Sequence, residues 1–347
     1  MVRMKGTTFA ALLLAFTIEW PAAAVAGEIP RTASGRPDLS GNYDISNLTP
    51  FSRPKEMGNK RYFDPEDGAA IAKRMAATIA ATSADSAPDR AAPEKGADVG
   101  AYNYFWLDFG TAALPIDGKI RTSVIIDPPN GQMPAITDAG KKRRHGAPQY
   151  DYYGKPRDKA WWMETGDRPY DDPESFTLGI RCIYLDVASL PMRSLPYNNV
   201  KTIVQTEDHV MILVEWMSYA RIVRLGTKDE KPSHLPSSIS AWSGDSIGWW
   251  EGDTLVVDTT NIREYPGALR EGLRIEERFA PVADQGLVYK FTVQDPEYVS
   301  SYTGEMAWPR TDQTNYEYAC HEGNYSMGSM LRGARMLEKE WVGKRAE

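Results

Sequence analysis

The sequence has little cysteine and little histidine, two and four residues in a chain of 347. It lacks paired cysteines at metal-ligand spacing and lacks the HxH and HExxH patterns, so no single segment carries a metal site. A site assembled from distant strands with Glu215 or Glu322 stays open. No glycine-rich phosphate loop, Rossmann fingerprint or P-loop is present, and no cofactor is expected. A basic excess is also missing: 40 Lys and Arg face 47 Asp and Glu, for a net charge of −7. That balance argues against a nucleic-acid partner. No apolar run is long enough to cross a bilayer, so no membrane span is expected. With 42% hydrophobic and 25% charged residues, disordered and fibrous classes are excluded too.

What is present begins with a leader. Arg3 and Lys5 precede the short apolar run Thr8–Ile18, and Ala24-Val25-Ala26 is a small-residue cleavage pattern. Residues 1–26 therefore read as a secretory signal peptide, which predicts an exported protein, periplasmic or extracellular. In an oxidising compartment Cys182 and Cys320 favour a disulfide; the alternative is two separate buried thiols.

The rest divides by texture. Residues 27–179 are rich in Pro, Gly and Ala and read as an irregular region that wraps or caps the remainder. Within it, Ala70, Ile71, Met75 and Ile79 predict a helix over Asp64–Ala81, followed by a polar linker over Ser83–Gly100. Arg121–Ile126 and Gln132–Ile136 flank Asp127-Pro128-Pro129-Asn130-Gly131 and predict a hairpin. Lys141–Arg144 reads as a solvated helix end.

Residues 180–347 run strand after strand. Expected strands are Lys201–Gln205, Val210–Trp216, Tyr219–Leu225, Ser246–Trp250, Thr254–Thr259, Leu273–Ala280, Leu287–Val293, Tyr298–Trp308 and Asn315–Cys320. A last helix over Ser326–Trp341 stripes Met327, Met330, Leu331, Ala334 and Leu337 on one face. The expected fold is mainly β: an antiparallel, lipocalin-like (calycin-type) barrel with a C-terminal helix.

Several stretches resemble a large family of exported bacterial proteins with no settled activity. They are GRPDLSG (35–41), Arg121-Thr122-Ser123 with Asp127-Pro128-Pro129, and Val204-Gln205-Thr206 with Asp208-His209-Val210. Further on are WWEGDTLVVDTT (249–260), Glu277-Arg278-Phe279 and YEYACHEGNY (316–325). The resemblance spans nearly the whole mature chain. It implies a shared fold and an exported location, and supplies no reaction. Ser218-Tyr219 stand where members of that family carry a histidine.

Strand parity picks out a candidate site. His209, Met211, Leu213 and Glu215 share one face of a strand, an apolar row ended by ionisable groups, as a ligand-lined barrel interior would be. Arg221 on the next strand is placed to pair with Glu215. Asn315, Glu317, Ala319 and His321 alternate in the same way. These residues predict cofactor-free acid–base chemistry, of lyase or isomerase type, on a small apolar or aromatic molecule. His209 or His321 would move the proton, Glu215 orient or share it, and Arg221 hold an anionic group. Trp249, Tyr289 and Trp308 are the candidate substrate contacts. The same residues fit a surface ion pair and a structural histidine, and two other functions stay open. One is a non-enzymatic carrier of a hydrophobic ligand. The other is a serine hydrolase using Ser246 of Gly244-Asp245-Ser246-Ile247-Gly248, although the hairpin after Ser246 departs from the strand-to-helix elbow that chemistry needs. The sequence leaves the oligomeric state open.

Overall fold

The structure, a computed structural model, describes residues 28–83, 89, 91–92, 94, 107–145, 170–227, 230–264, 268–283 and 285–345. The leader and most of the Ser83–Gly100 linker lie outside them.

The fold is mainly β. Its principal strands are β1 (Gly41–Asp44), β4 (Ile125–Asp127), β5 (Val200–Gln205), β6 (His209–Val214), β7 (Ala220–Leu225), β8 (Asp245–Glu251), β9 (Thr254–Thr260), β12 (Arg274–Val282), β13 (Gly286–Gln294) and β14 (Tyr302–Pro309). Two short pairs, β2 (Pro115–Ile116) with β3 (Lys119–Ile120) and β10 (Arg263–Glu264) with β11 (Ala268–Leu269), stand apart. The helices are α1 (Pro65–Thr82), α2 (Asp138–His145), α3 (Asp186–Ser189) and the C-terminal α4 (Tyr325–Arg345).

The ten strands form one sheet in the order β1-β5-β6-β7-β8-β9-β12-β13-β14-β4. It curls into a half-barrel whose margins touch: Tyr43 bridges Arg310, and the Thr311 amide donates to the Asn42 carbonyl at 3.0 Å. Both end strands come from the irregular N-terminal region. Every strand pairing within this sheet is antiparallel except β7 with β8. A chain that must re-enter beside β7 in the same direction needs a crossover, and residues 226–244 supply it. The expected all-antiparallel order is corrected there.

Alternation builds the core. Val210, Ile212 and Val214 of β6 point inward, as do Leu287, Tyr289, Phe291 and Val293 of β13, and all are buried. The centre of the curl is filled by rings. Tyr289 and Trp308 lie 4.6 Å apart between centroids, Phe279 and Tyr289 5.2 Å, and Tyr289 and Phe291 5.7 Å. Gly304 makes room for them, because a Cβ there would sit 2.2 Å from the Phe291 ring.

Three expected elements differ. The Arg121–Ile126 and Gln132–Ile136 hairpin does not form. β4 pairs instead with the open edge of β14, and Ile136 makes only a bridge to Tyr298. Pro134 offers no N–H for a ladder. Asn315–Cys320 is not a strand either. The Tyr316 and Tyr318 amides bond to Glu215, and Cys320–Gly323 turns as a 3-10 helix. Along α4 only Ala334 of the expected stripe is fully buried, while Leu337 is 47% exposed. Cys182 and Cys320 are joined, with Cα atoms 5.4 Å apart, closing a span of 138 residues. Among the described residues no helix is long and apolar enough to cross a membrane.

Candidate functional site

Register separates the two residues that parity put together. Arg221 on β7 faces Ile212 on β6, so it shares the inward face with Val210 and Val214, not the face that leads to Glu215. Its guanidinium grips Glu277 with both terminal nitrogens, Nη2 donating to Oε1 at 3.0 Å and Nη1 to Oε2, while Nη1 also reaches Thr259 Oγ1 at 3.4 Å. The Tyr289 hydroxyl donates to Glu277 Oε1 at 2.6 Å and accepts from the Met192 amide at 3.2 Å. Burial pushes the Tyr289 hydroxyl well above the usual phenol range, and the Glu277 carboxylate pushes it further. Burial pulls the Arg221 guanidinium down, but Glu277 more than offsets this. The cluster is charge-balanced and nearly saturated. That is the state in which a buried ion pair is tolerated as structure.

The remaining expected site residues are scattered. His209 is exposed at the start of β6, with Nδ1 3.1 Å from Asp208. His321 is exposed in the turn after Cys320. No hydrogen bond or ion pair joins any two of His209, Glu215, Arg221 and His321. Trp249 lies on the outer face, under the Lys231 ammonium at 3.7 Å, with its indole N–H on Glu251. Tyr289 and Trp308 are fully buried core rings, not walls of an open pocket. Ser246 is 2% exposed and shares a 2.8 Å hydrogen bond with Thr259, so it meets no histidine.

Glu215 anchors a different group. Its carboxylate accepts from the Val200 amide at 3.0 Å and the Tyr316 amide at 3.1 Å, and it is also bonded by the Asn198 side chain. Burial raises its pKa, against the pull of these donors and of Lys201. Lys201 is the second residue of β5, directly after Val200, whose amide Glu215 holds. It sits opposite Val214 on one side and Tyr43 on the other, in phase with Ile203, and is fully buried. Among the described residues its Nζ has one hydrogen bond, a long one of 3.4 Å to the Asn198 carbonyl, and no ion pair. Burial lowers its pKa from 10.5 to about 8, with Glu215 and Asp44 pulling back only in part.

Asn198 thus bonds both partners, its side chain to the carboxylate and its carbonyl to the amine. It does so from a left-handed backbone (φ 57°) that asparagine adopts more readily than most residues. Beside the pair stand three half-buried rings. Tyr197 stacks on Trp216 at 5.0 Å, and Tyr318 lies 4.4 Å from Trp216 and 5.4 Å from Tyr197. Trp216 follows Glu215 in the chain and Tyr197 precedes Asn198, so the aromatic group and the ionisable pair occupy one end of the sheet.

The outer face carries a separate charge row. His234, on the β7–β8 crossover, bridges Asp245 (2.9 Å) and Asp258 (3.1 Å), which are also held by Arg224 and Arg274. Carboxylates only accept, so both contacts are hydrogen bonds when both ring nitrogens carry protons. This pins the crossover to the sheet. Among the described residues no group of three or more His, Cys, Asp or Glu is arranged to hold a metal ion.

Parity reasoning missed Lys201 and Glu277, yet both carry one signal. Each is a charged residue in the apolar phase of its strand, Lys201 with Ile203 and Glu277 between Ile275 and Phe279. No family model matches the chain, and no curated protein matches it.

Proposed function

We propose that this chain is an exported, lipocalin-like protein that carries out cofactor-free acid–base chemistry, of isomerase or lyase type, on a small apolar or aromatic molecule. Lys201 and Glu215 carry it. The observation behind this reading is the contrast between two buried cations on one sheet face. Arg221 has its charge matched and its donors largely spent on Glu277, Tyr289 and Thr259 being part of the same network. Lys201 is as deeply buried, yet has a single long hydrogen bond and no counter-ion in contact.

A buried amine left so poorly partnered is costly to keep charged. With a pKa near 8, roughly one tenth of Lys201 is neutral at pH 7, against about one part in three thousand for an ordinary lysine. Glu215, raised by the same burial, keeps more of its proton than an exposed carboxylate does. Burial thus moves the proton affinities of the two groups toward each other, and in this scheme Lys201 is the base and Glu215 the acid. The rings of Tyr197, Trp216 and Tyr318 favour an aromatic or apolar substrate beside them. His209, Arg221 and His321 have no part in this scheme.

The test is carbon-bound hydrogen exchange in D2O. A panel of aromatic and terpenoid-like carbonyl compounds is incubated with the full protein, and deuterium uptake next to the carbonyl is read by mass. Uptake above background is expected for a subset, with at least a tenfold loss in both Lys201→Met and Glu215→Gln. Uptake unchanged in both variants would overturn the assignment of the site.

A further inference from the structure

We infer that Lys201 acts as an imine-forming lysine, and that the molecule it takes is an aldehyde or ketone bearing an aromatic or apolar group. This deepens the acid–base reading above and rests on it.

A lysine buried to serve the fold is expected to meet a carboxylate or several carbonyls, because each unpaired N–H of an ammonium group costs desolvation energy. Lys201 meets one carbonyl, at 3.4 Å. It lies opposite Tyr43 and Val214 and in phase with Ile203, all buried, and the carboxylates that act on Nζ, those of Glu215 and Asp44, do so without an ion-pair contact. Such surroundings favour the neutral amine, the form that attacks carbonyls. Glu215 is close enough to act on the amine electrostatically but is held off it. Its oxygens are committed to the Val200 and Tyr316 amides and its position is fixed through Asn198, the residue that also holds Nζ. A contact ion pair would have quenched the nucleophile. This arrangement leaves the amine without a contact ion pair and an acid fixed nearby.

The chemistry balances without an oxidant or reductant. The Nζ lone pair forms a bond to the carbonyl carbon, and the π electrons move to the oxygen, which takes a proton from Glu215. The nitrogen returns a proton to the Glu215 carboxylate, and Glu215 then protonates the hydroxyl, which leaves as water to give the protonated imine. Loss of the second N–H proton to Glu215 gives neutral C=N and restores the acid. One amine and one carbonyl become one imine and one water. Once protonated, the imine draws electrons from the neighbouring carbon and makes its C–H acidic. That is the proton whose movement the acid–base reading requires.

The trapping experiment uses the disulfide-intact full protein, 4-phenylbutan-2-one as the carbonyl probe and sodium cyanoborohydride, followed by peptide mass mapping. The expected result is one secondary amine at Lys201, at least tenfold above any exposed lysine such as Lys141 or Lys142, and slowed at least tenfold by Glu215→Gln. The readout is which lysine is labelled in the native protein, so it does not depend on a Lys201 variant folding. Label spread over exposed lysines with Lys201 unmodified would overturn the inference. If carbon-bound exchange persists in that case, only the imine is lost. If exchange is absent as well, the acid–base reading falls with it.

Discussion

Arg221 on β7 reaches across β8 and β9 to Glu277 on β12, and the two close an ion pair with side chains only 3% and 0% exposed. Neither group has water to fall back on. Removing one partner alone strands a buried charge, which costs about 3–5 kcal/mol, whereas replacing both with apolar residues of similar volume is often close to neutral. Arg221→Met and Glu277→Leu are each expected to lower unfolding free energy by about that amount, with Glu277→Leu also orphaning the Tyr289 hydroxyl. The double variant is expected to recover most of the loss. Urea unfolding of the four proteins measures this, and simple additivity of the two losses would show that the pair is not coupled.

Lys201 behaves in the opposite sense. Its folded pKa, about 8, lies below its ordinary value of 10.5. Between those values the unfolded chain holds a proton that the folded chain does not, so folding gains stability as pH rises through the window. Below pH 8 the burial penalty is fully present. Lys201→Met is therefore expected to stabilise the protein by about 3 kcal/mol at pH 7, with the gain fading as pH rises through the window and absent above it. Chemical unfolding of both proteins across pH 7 to 10 tests the sign. A methionine variant less stable than the native chain at pH 7 would show that the ammonium group is favourable where it lies.

Much of this fold is legible in the chain. The alternation in β6, β12 and β13 and the Glu251-Gly252-Asp253 turn, with Gly252 at φ 60°, give strands and a hairpin within a residue or two of where they lie. The resemblance motifs turn out to be joints. Gln205 holds Leu39 and Pro37 of the GRPDLSG stretch, and Arg310 holds Asp38 and Ser40. What could not be read was which strands are neighbours. Parity assigns a face only within one strand, whereas placing Arg221 against Glu277 requires the order β7-β8-β9-β12 and a parallel pair that no local signal announces. The same gap hid β4, whose partner β14 lies more than 170 residues away. Glu215 was found through its strand parity, but its true neighbours, the amides of Val200 and Tyr316, are backbone groups with no side-chain signature.

The disulfide ties α4 and the turn before it to the segment ahead of α3. Asn324, just past that turn, also donates to the Ile180 carbonyl at 2.7 Å. α4 buries little of its own, so this tether carries much of its attachment. Closing a loop of 138 residues is worth about 4–5 kcal/mol in the chain-entropy model. The Cys182→Ser, Cys320→Ser double variant is expected to lose most of that stability and to show faster backbone hydrogen exchange in α4 than in β12–β13. Thiol titration of the oxidised native protein should find no free cysteine. Two free thiols there would remove the tether from the account.

Glu215 has two jobs, and the choice of variant separates them. As acceptor it satisfies the Val200 amide at the start of β5 and the Tyr316 amide of the segment that replaces an expected strand. In the proposed chemistry it is also the acid that serves Lys201. Glu215→Ala strands the buried Val200 amide, at about 1–3 kcal/mol, and frees the part-buried Tyr316 amide, so it damages the fold as well as the chemistry. Glu215→Gln keeps one carbonyl acceptor for an amide but has no acidic proton. Glu215→Gln is thus expected to lose about 1–2 kcal/mol in stability while falling at least tenfold in carbon-bound exchange, and Glu215→Ala to lose markedly more stability for the same loss of exchange. Paired thermal unfolding and D2O exchange on the two variants read both quantities. Exchange tracking stability across the pair, with Glu215→Gln nearly as active as the native protein, would mean that Glu215 only holds the backbone.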